Sequence, residues 1–215
     1  MGGFSWWHRP AAALPEAALN QKIKYHYEDP DVVERLGEAL IRQLSALNPD
    51  GRRPLVIVAI GTDRSTGDSL GPLVGSRLKD LSHGAIQVLG TLDEPVHAAN
   101  LHHWLAYIEE HYPEALVVAI DASLGPSDSV GYITLAPGPL KPGAGVQKNL
   151  PSVGELHLTG TVNVGGYMEY LVLQNTRLST VVKMANRIAE AICWAYQRLG
   201  ALPPMPALAP TDTLR

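Results

Sequence analysis

The chain has 215 residues, 46% of them hydrophobic and 18% charged, with a formal net charge of −4. That length and composition describe one globular domain with a real core, and they exclude a disordered chain. The mildly acidic balance leaves no electrostatic footprint for nucleic acid, and the one cysteine, Cys193, excludes an internal disulfide or a thiolate-rich metal site.

Residues 1 to 28 mix Trp, Pro, Ala and His without a period and read as an N-terminal arm. Its opening, Met1-Gly2-Gly3-Phe4-Ser5-Trp6-Trp7, has no basic segment ahead of an apolar one, and Trp6 stands where myristoylation wants Ser or Thr. No apolar run approaches the ~18 residues of a membrane span. The expected location is therefore the cytoplasm, with no membrane partner.

Asp29-Pro30 opens a helix, with Val33, Leu36, Leu40, Ile41, Leu44 and Leu47 at helical spacing before Asn48-Pro49-Asp50-Gly51 stops it. Leu55 to Ile60 is a continuous β-branched apolar run of strand length, which calls for a parallel strand covered on both faces. Gly71 to Leu81 reads as a helix, Ala85 to Leu89 as a second strand, Pro95 to Tyr112 as a helix, and Ala115 to Ile120 as a third strand ending in Asp121. Val130 to Leu135 alternates as a strand with one wet face, Ala136 to Pro151 is a long Pro/Gly/Lys loop, and Leu156 to Val162 forms a further strand. Ser179 to Leu199 is the clearest helix, closed by Gly200, and the Pro-rich tail of residues 201–215 is read as disordered. The alternation gives an α/β fold: one domain over 29–200, an open, mostly parallel twisted sheet with helices on both faces.

In such a sheet, ligands bind beyond the carboxyl ends of the strands, where the strand order reverses. With the three strands in the order 2-1-3, the loop Gly61 to Gly71 and the segment Asp121-Ala122-Ser123-Leu124-Gly125 become neighbours there. Asp68 and Asp121 then share a crevice. Two close carboxylates cannot both ionise cheaply, so one holds a proton while the other activates water. Either residue also has a purely structural reading, Asp68 as a helix cap and Asp121 as an acceptor of backbone N–H groups. Asp63 and Arg64, in the same loop, read as substrate-positioning residues or as a surface ion pair.

Gly67-Asp68-Ser69-Leu70-Gly71 fits G-x-S-x-G, the serine-hydrolase elbow, and contains the Gly-Asp-Ser-Leu signature of an esterase family. An elbow joins strand to helix directly, whereas Ser69 lies nine residues past Ile60. Ser69, Asp121 and His157 do occur in α/β-hydrolase order, so a serine esterase through Ser69 stands as the lesser alternative.

The segment Gly61-Thr62-Asp63-Arg64-Ser65-Thr66-Gly67-Asp68-Ser69-Leu70-Gly71-Pro72 closely resembles the YyaC family, described as spore proteases of spore-forming bacteria. So do Ala119-Ile120-Asp121-Ala122, Lys141-Pro142-Gly143-Ala144-Gly145-Val146, Gly160-Thr161-Val162-Asn163-Val164-Gly165-Gly166 and Leu173-Gln174-Asn175-Thr176-Arg177-Leu178. That family is more distantly similar to the spore germination protease and to hydrogenase maturation peptidases, both with open twisted α/β sheets. The resemblance implies an aspartate-dependent peptidase in which Asp68 and Asp121 are the catalytic acids and Asp63, Arg64, Ser69 and Asn163 bind substrate or support them. It implies a protein or peptide substrate, small spore proteins among the candidates, and places the chain in the cytoplasm or forespore of a spore former. The hydrogenase peptidases have Glu where Asp68 stands, an Asp matching Asp121, and a His that helps bind nickel. His157 is the one histidine in a suitable late segment, but it alternates as a strand residue, and adjacent His102 and His103 cannot form an i, i+4 clamp. No metal and no cofactor are expected. The apolar arm would allow self-association into a homo-oligomer. A non-catalytic sporulation protein that binds a partner through the same crevice is the main alternative.

Overall fold

Five residues, Leu55–Ala59 (β2), carry the logic of the sheet: Val56 and Val58 face one side, Ile57 and Ala59 the other, and all four are buried. A strand that is apolar at every position has to be sandwiched between two layers. The structure, a computed structural model, describes residues 21–143 and 150–200. Six strands form one sheet: Ile23–His26 (β1), β2, Gln87–Leu89 (β3), Leu116–Gly125 (β4), Tyr132–Pro137 (β5) and Leu156–Val164 (β6), in the order β1-β5-β6-β4-β2-β3. β3, β2, β4 and β6 run parallel, while β5 is antiparallel to both β6 and β1. The first three strands read from sequence thus stand in the expected 2-1-3 order.

Helices Val32–Leu47 (α1), Leu70–Ser82 (α2) and Leu178–Arg198 (α5) cover one face, interleaving Leu36, Leu40, Val74, Leu78, Met184 and Ile188 with Ile57, Ile120 and Leu158. Helix Leu101–His111 (α3) covers part of the other, where Leu101 and Ile108 meet Val56, Val58 and Ala119. A short helix, Glu169–Gln174 (α4), lies between β6 and α5.

Several expectations need correction. Residues 23–26, read as part of the arm, pair with β5 as an edge strand, Ile23 opposite Leu135 and His26 opposite Tyr132. That pairing makes β5 an interior strand. Its Ile133, Thr134, Leu135 and Ala136 are all buried, so it has no wet face. The helix expected from Pro95 starts only at Leu101, because Val96 bridges to Ile60 and the Asn100 side chain holds a turn, accepting from His97 N–H at 2.8 Å and donating to Pro95 O at 2.9 Å. Pro137 ends β5, and the long loop is pinned by a bridge between Leu140 and Val153. The tryptophans of the arm and the Pro-rich tail lie outside the described residues.

Candidate active site

β2 stops at Ala59, and the chain leaves the sheet through Ile60, whose N–H bonds to Ile120 O at 2.7 Å, and Gly61, whose N–H bonds to Val96 O at 2.8 Å. The loop then folds back, with Thr62 N–H donating to Asp68 O at 3.1 Å, and a 3-10 turn Gly67–Ser69 runs straight into α2. Two glycines allow so tight a return. At Gly61, with φ +148°, a Cβ would overlap the Asp68 carbonyl oxygen. At Gly71 it would overlap the carbonyl oxygen of Ile60. The start of α2 is thereby clamped onto the end of β2, and half-buried Asp68 is held at the carboxyl edge of the sheet.

Asp121 was expected just beyond the end of its strand. It lies instead inside β4, which runs on to Gly125 because β6 accompanies it to Val164. The crevice survives for a different reason: β2 turns away at the level of Ile120, so β4 loses its neighbour on that side at Asp121. Asp121 is 9% exposed, and its Oδ1 accepts the Ala122 N–H at 2.8 Å. Burial pushes its carboxyl well above the usual carboxylate range, the Asp68 charge pushes it further the same way, and the Ala122 N–H opposes both. The two aspartates singled out in the sequence are therefore electrostatically coupled across the switch point.

Sequence reasoning missed the surroundings of the pair. Asp121 is in register with Thr159, and Thr159 with Thr134, so three polar residues share one row of the sheet. In the next row the Ser123 and Thr161 hydroxyls are 3.3 Å apart. Register is a tertiary property, and no spacing in the sequence reveals such a row. The buried Ser65 Oγ, in the Asp68 loop, has no hydrogen-bond partner among the described residues.

The other expected site residues separate. Asp63 and Arg64 are exposed on the outer turn and bond to Thr62, whose hydroxyl receives Arg64 N–H at 3.3 Å and lies 3.5 Å from Asp63 Oδ1. Ser69 is 6% exposed, and its hydroxyl donates to Thr66 O at 2.7 Å. It locks the turn before α2. Its hydroxyl has a backbone partner where a nucleophile needs a base, and the esterase reading gains nothing from this geometry. Asn163 donates from Nδ2 to Val172 O at 3.3 Å and to Thr176 Oγ1 at 3.2 Å, tying the end of β6 to α4. Gly67 packs against Leu173 and Thr176 of the same segment, so Asn163 supports the Asp68 turn from behind. His157 sits opposite Ala119 with Nδ1 2.8 Å from Gly138 O. Among the described residues, no three His, Cys, Asp or Glu side chains gather as a metal site requires. Nor is any described helix long and apolar enough to cross a membrane.

The same fold is found in a solved [NiFe] hydrogenase maturation protease, HycI from Thermococcus kodakarensis KOD1, with a TM-score of 0.50 at 20% identity over 74% of this chain and 98% of that one. In sequence, the chain is 51% identical over 164 residues to the "uncharacterized protein YyaC" of Bacillus subtilis (strain 168), covering 74% of this chain and 80% of that protein. Residues 24–191 match the family described as "Protein of unknown function (DUF1256)", and the chain belongs to that family.

Proposed function

We propose that the chain is a peptidase that hydrolyses a protein substrate through Asp68 and Asp121 without a covalent intermediate. The observation that carries this reading is the unequal, coupled pair: one buried aspartate whose carboxyl is pushed well above the usual carboxylate range, beside a half-buried one whose charge pushes it the same way. Asp68, ionised, accepts a proton from a water molecule as its oxygen attacks the scissile carbonyl carbon. Asp121, protonated, gives its proton to the leaving amide nitrogen as the C–N bond breaks. Transfer of the proton from Asp68 to Asp121 resets the pair, so each turnover consumes one water and leaves the protein unchanged. The Ala122 N–H engages Oδ1 of Asp121 and leaves Oδ2 to carry the proton. The fold shared with a maturation protease supports the reaction class, and a substrate met during spore formation or germination, in the cytoplasm or forespore, is what the family resemblance of the sequence motifs implies.

The test is digestion of spore protein extract by wild type, Asp68→Asn and Asp121→Asn. Wild type is expected to generate cleavage products that both variants lack. Identical products from all three would remove the peptidase reading. One observation favours a second reading, a non-catalytic protein that binds a partner at the same edge: Asp121 is 9% exposed, which leaves little of it for a substrate to reach. In that case the wild type cleaves nothing, and Asp121→Asn retains partner binding.

A further inference from the structure

Seven large apolar side chains stand out as exposed among the described residues, and six belong to one fifteen-residue stretch: Val164, Tyr167, Met168, Tyr170, Leu171 and Leu178. The two tyrosines alone carry on the order of 150–250 Å² each. At 43% to 82% exposure the six present several hundred Å² between them, about the size of the largest apolar patch on a typical monomer, which is often functional. From this surface we infer that the chain is a two-fold dimer, with a second copy of itself covering the segment 164–178.

Three features select that occupant. With a polar rim added, the area is of the order that each partner contributes to a standard interface, about 800 Å². The stretch contains one acid, Glu169, near its start and one base, Arg177, near its end, so it carries no net charge. A face without net charge suits a second copy of itself, whereas a strongly charged partner would call for a surface of one sign. The backbone is also built to present these side chains. Met168 adopts φ +50°, a left-handed conformation that is strained for a residue other than glycine. It is held there by Gly166 at φ +132°, by Gly166 N–H on Glu169 Oε1 at 3.3 Å, and by Leu171 N–H on Met168 O at 2.8 Å. Strain kept by such a frame, with Tyr167 left 82% exposed at its tip, marks a surface with a use. The inference is independent of peptidase chemistry.

Light scattering on the full chain between 1 and 100 µM tests it. The expected mass is twice the 23.1 kDa of one chain. Tyr170→Asp and Leu171→Asp should each raise the dimer Kd at least tenfold. Leu92→Asp, at the seventh exposed apolar position, should leave it unchanged, as should the pair Trp6→Ser and Trp7→Ser in the arm. Hydrogen exchange of the wild type supplies a readout that needs no variant: protection confined to 164–178 should rise with concentration. A wild-type monomer at 100 µM, a dimer indifferent to both aspartate variants, protection that grows elsewhere instead, or a dimer lost with the arm tryptophans would each overturn the inference.

Discussion

The two ends of the same parallel sheet are built on opposite principles. At the amino end, Arg53 forks onto Glu155 and also donates to the carbonyls of Leu47, Glu114 and Ala115, while Asn48 brackets the Arg53 backbone from both sides. Charges there are paired and carbonyls are used. At the carboxyl end, two acidic side chains are brought together, Ser65 Oγ and Glu169 Oε2 are buried without partners among the described residues, Met168 is left-handed, and aromatic side chains face outward. The amino end has departures of its own, since Ser82 Oγ is buried without a partner among the described residues and His83 is left-handed where α2 ends, but the two coupled acids stand at the carboxyl end.

The largest expected effect lies in the chemistry. Asp68→Asn or Asp121→Asn should lower the rate of substrate cleavage by about 10²–10⁴, the usual contribution of a general acid or base, with the circular dichroism spectrum unchanged. A loss under tenfold in both variants would place the working groups elsewhere. Next in size is Gly71→Ala. Its new Cβ must displace the Ile60 carbonyl oxygen, which is backbone and cannot swing aside. Overpacking of this kind costs about 3 kcal/mol, read as a lower denaturant midpoint, and tilts α2 so that activity falls as well. Retention of both would show that the clamp between β2 and α2 is looser than the geometry implies.

Much of this was legible in the sequence, for identifiable reasons. Continuous apolar runs at Leu55 and Ala115 mark strands covered on both faces, and helical spacing marks α1, α2 and α5, because a strand or helix advertises its own buried face. Asp68 and Asp121 were findable since each follows such a run. What escaped notice depends on partners remote in the chain. β1 is four residues, Ile-Lys-Tyr-His, with a pattern too short to register until β5 lies beside it. α4 has six residues and no buried ones, so it has no periodic stripe to read. Ser69 and Asn163 were singled out as site residues; the Ser69 bond to Thr66 is a local one, whereas the bonds that make Asn163 a support run to Val172 and Thr176, and local spacing does not give such bonds.

Asp121 offers a sharper contrast between the two ends, because its replacement should stabilise the protein while abolishing the chemistry. Its carboxyl pKa is raised in the folded chain, and in the unfolded chain it stays near 3.8. Below that value both states are protonated and the contribution is fully present. As pH rises, the unfolded chain releases the proton and the folded chain keeps it, so stability falls by about 1.4 kcal/mol per pH unit until the folded pKa is reached. Asparagine has no such proton and still offers an oxygen to Ala122 N–H. Urea unfolding at pH 4, 5.5 and 7 should therefore show Asp121→Asn gaining on wild type as pH increases. A gap that does not change with pH would mean that Asp121 ionises as freely in the folded chain as in the unfolded one.

The smallest effect belongs to the paired end, and there the sign reverses. Both side chains of the Arg53–Glu155 fork are partly exposed, at 29% and 43%, so solvent screens the attraction, and Glu155→Gln should cost about 1 kcal/mol or less. Arg53→Met should cost more, about 2 kcal/mol, because three backbone carbonyls lose a charged donor along with the carboxylate. Unfolding in 0.05 M and 1 M salt distinguishes the two contributions. The ion-pair share shrinks as the screening length falls from about 14 Å to 3 Å, while the carbonyl share persists. If Arg53→Met cost no more than Glu155→Gln at high salt, the carbonyl bonds would be adding nothing, and the amino end would be held by the ion pair alone.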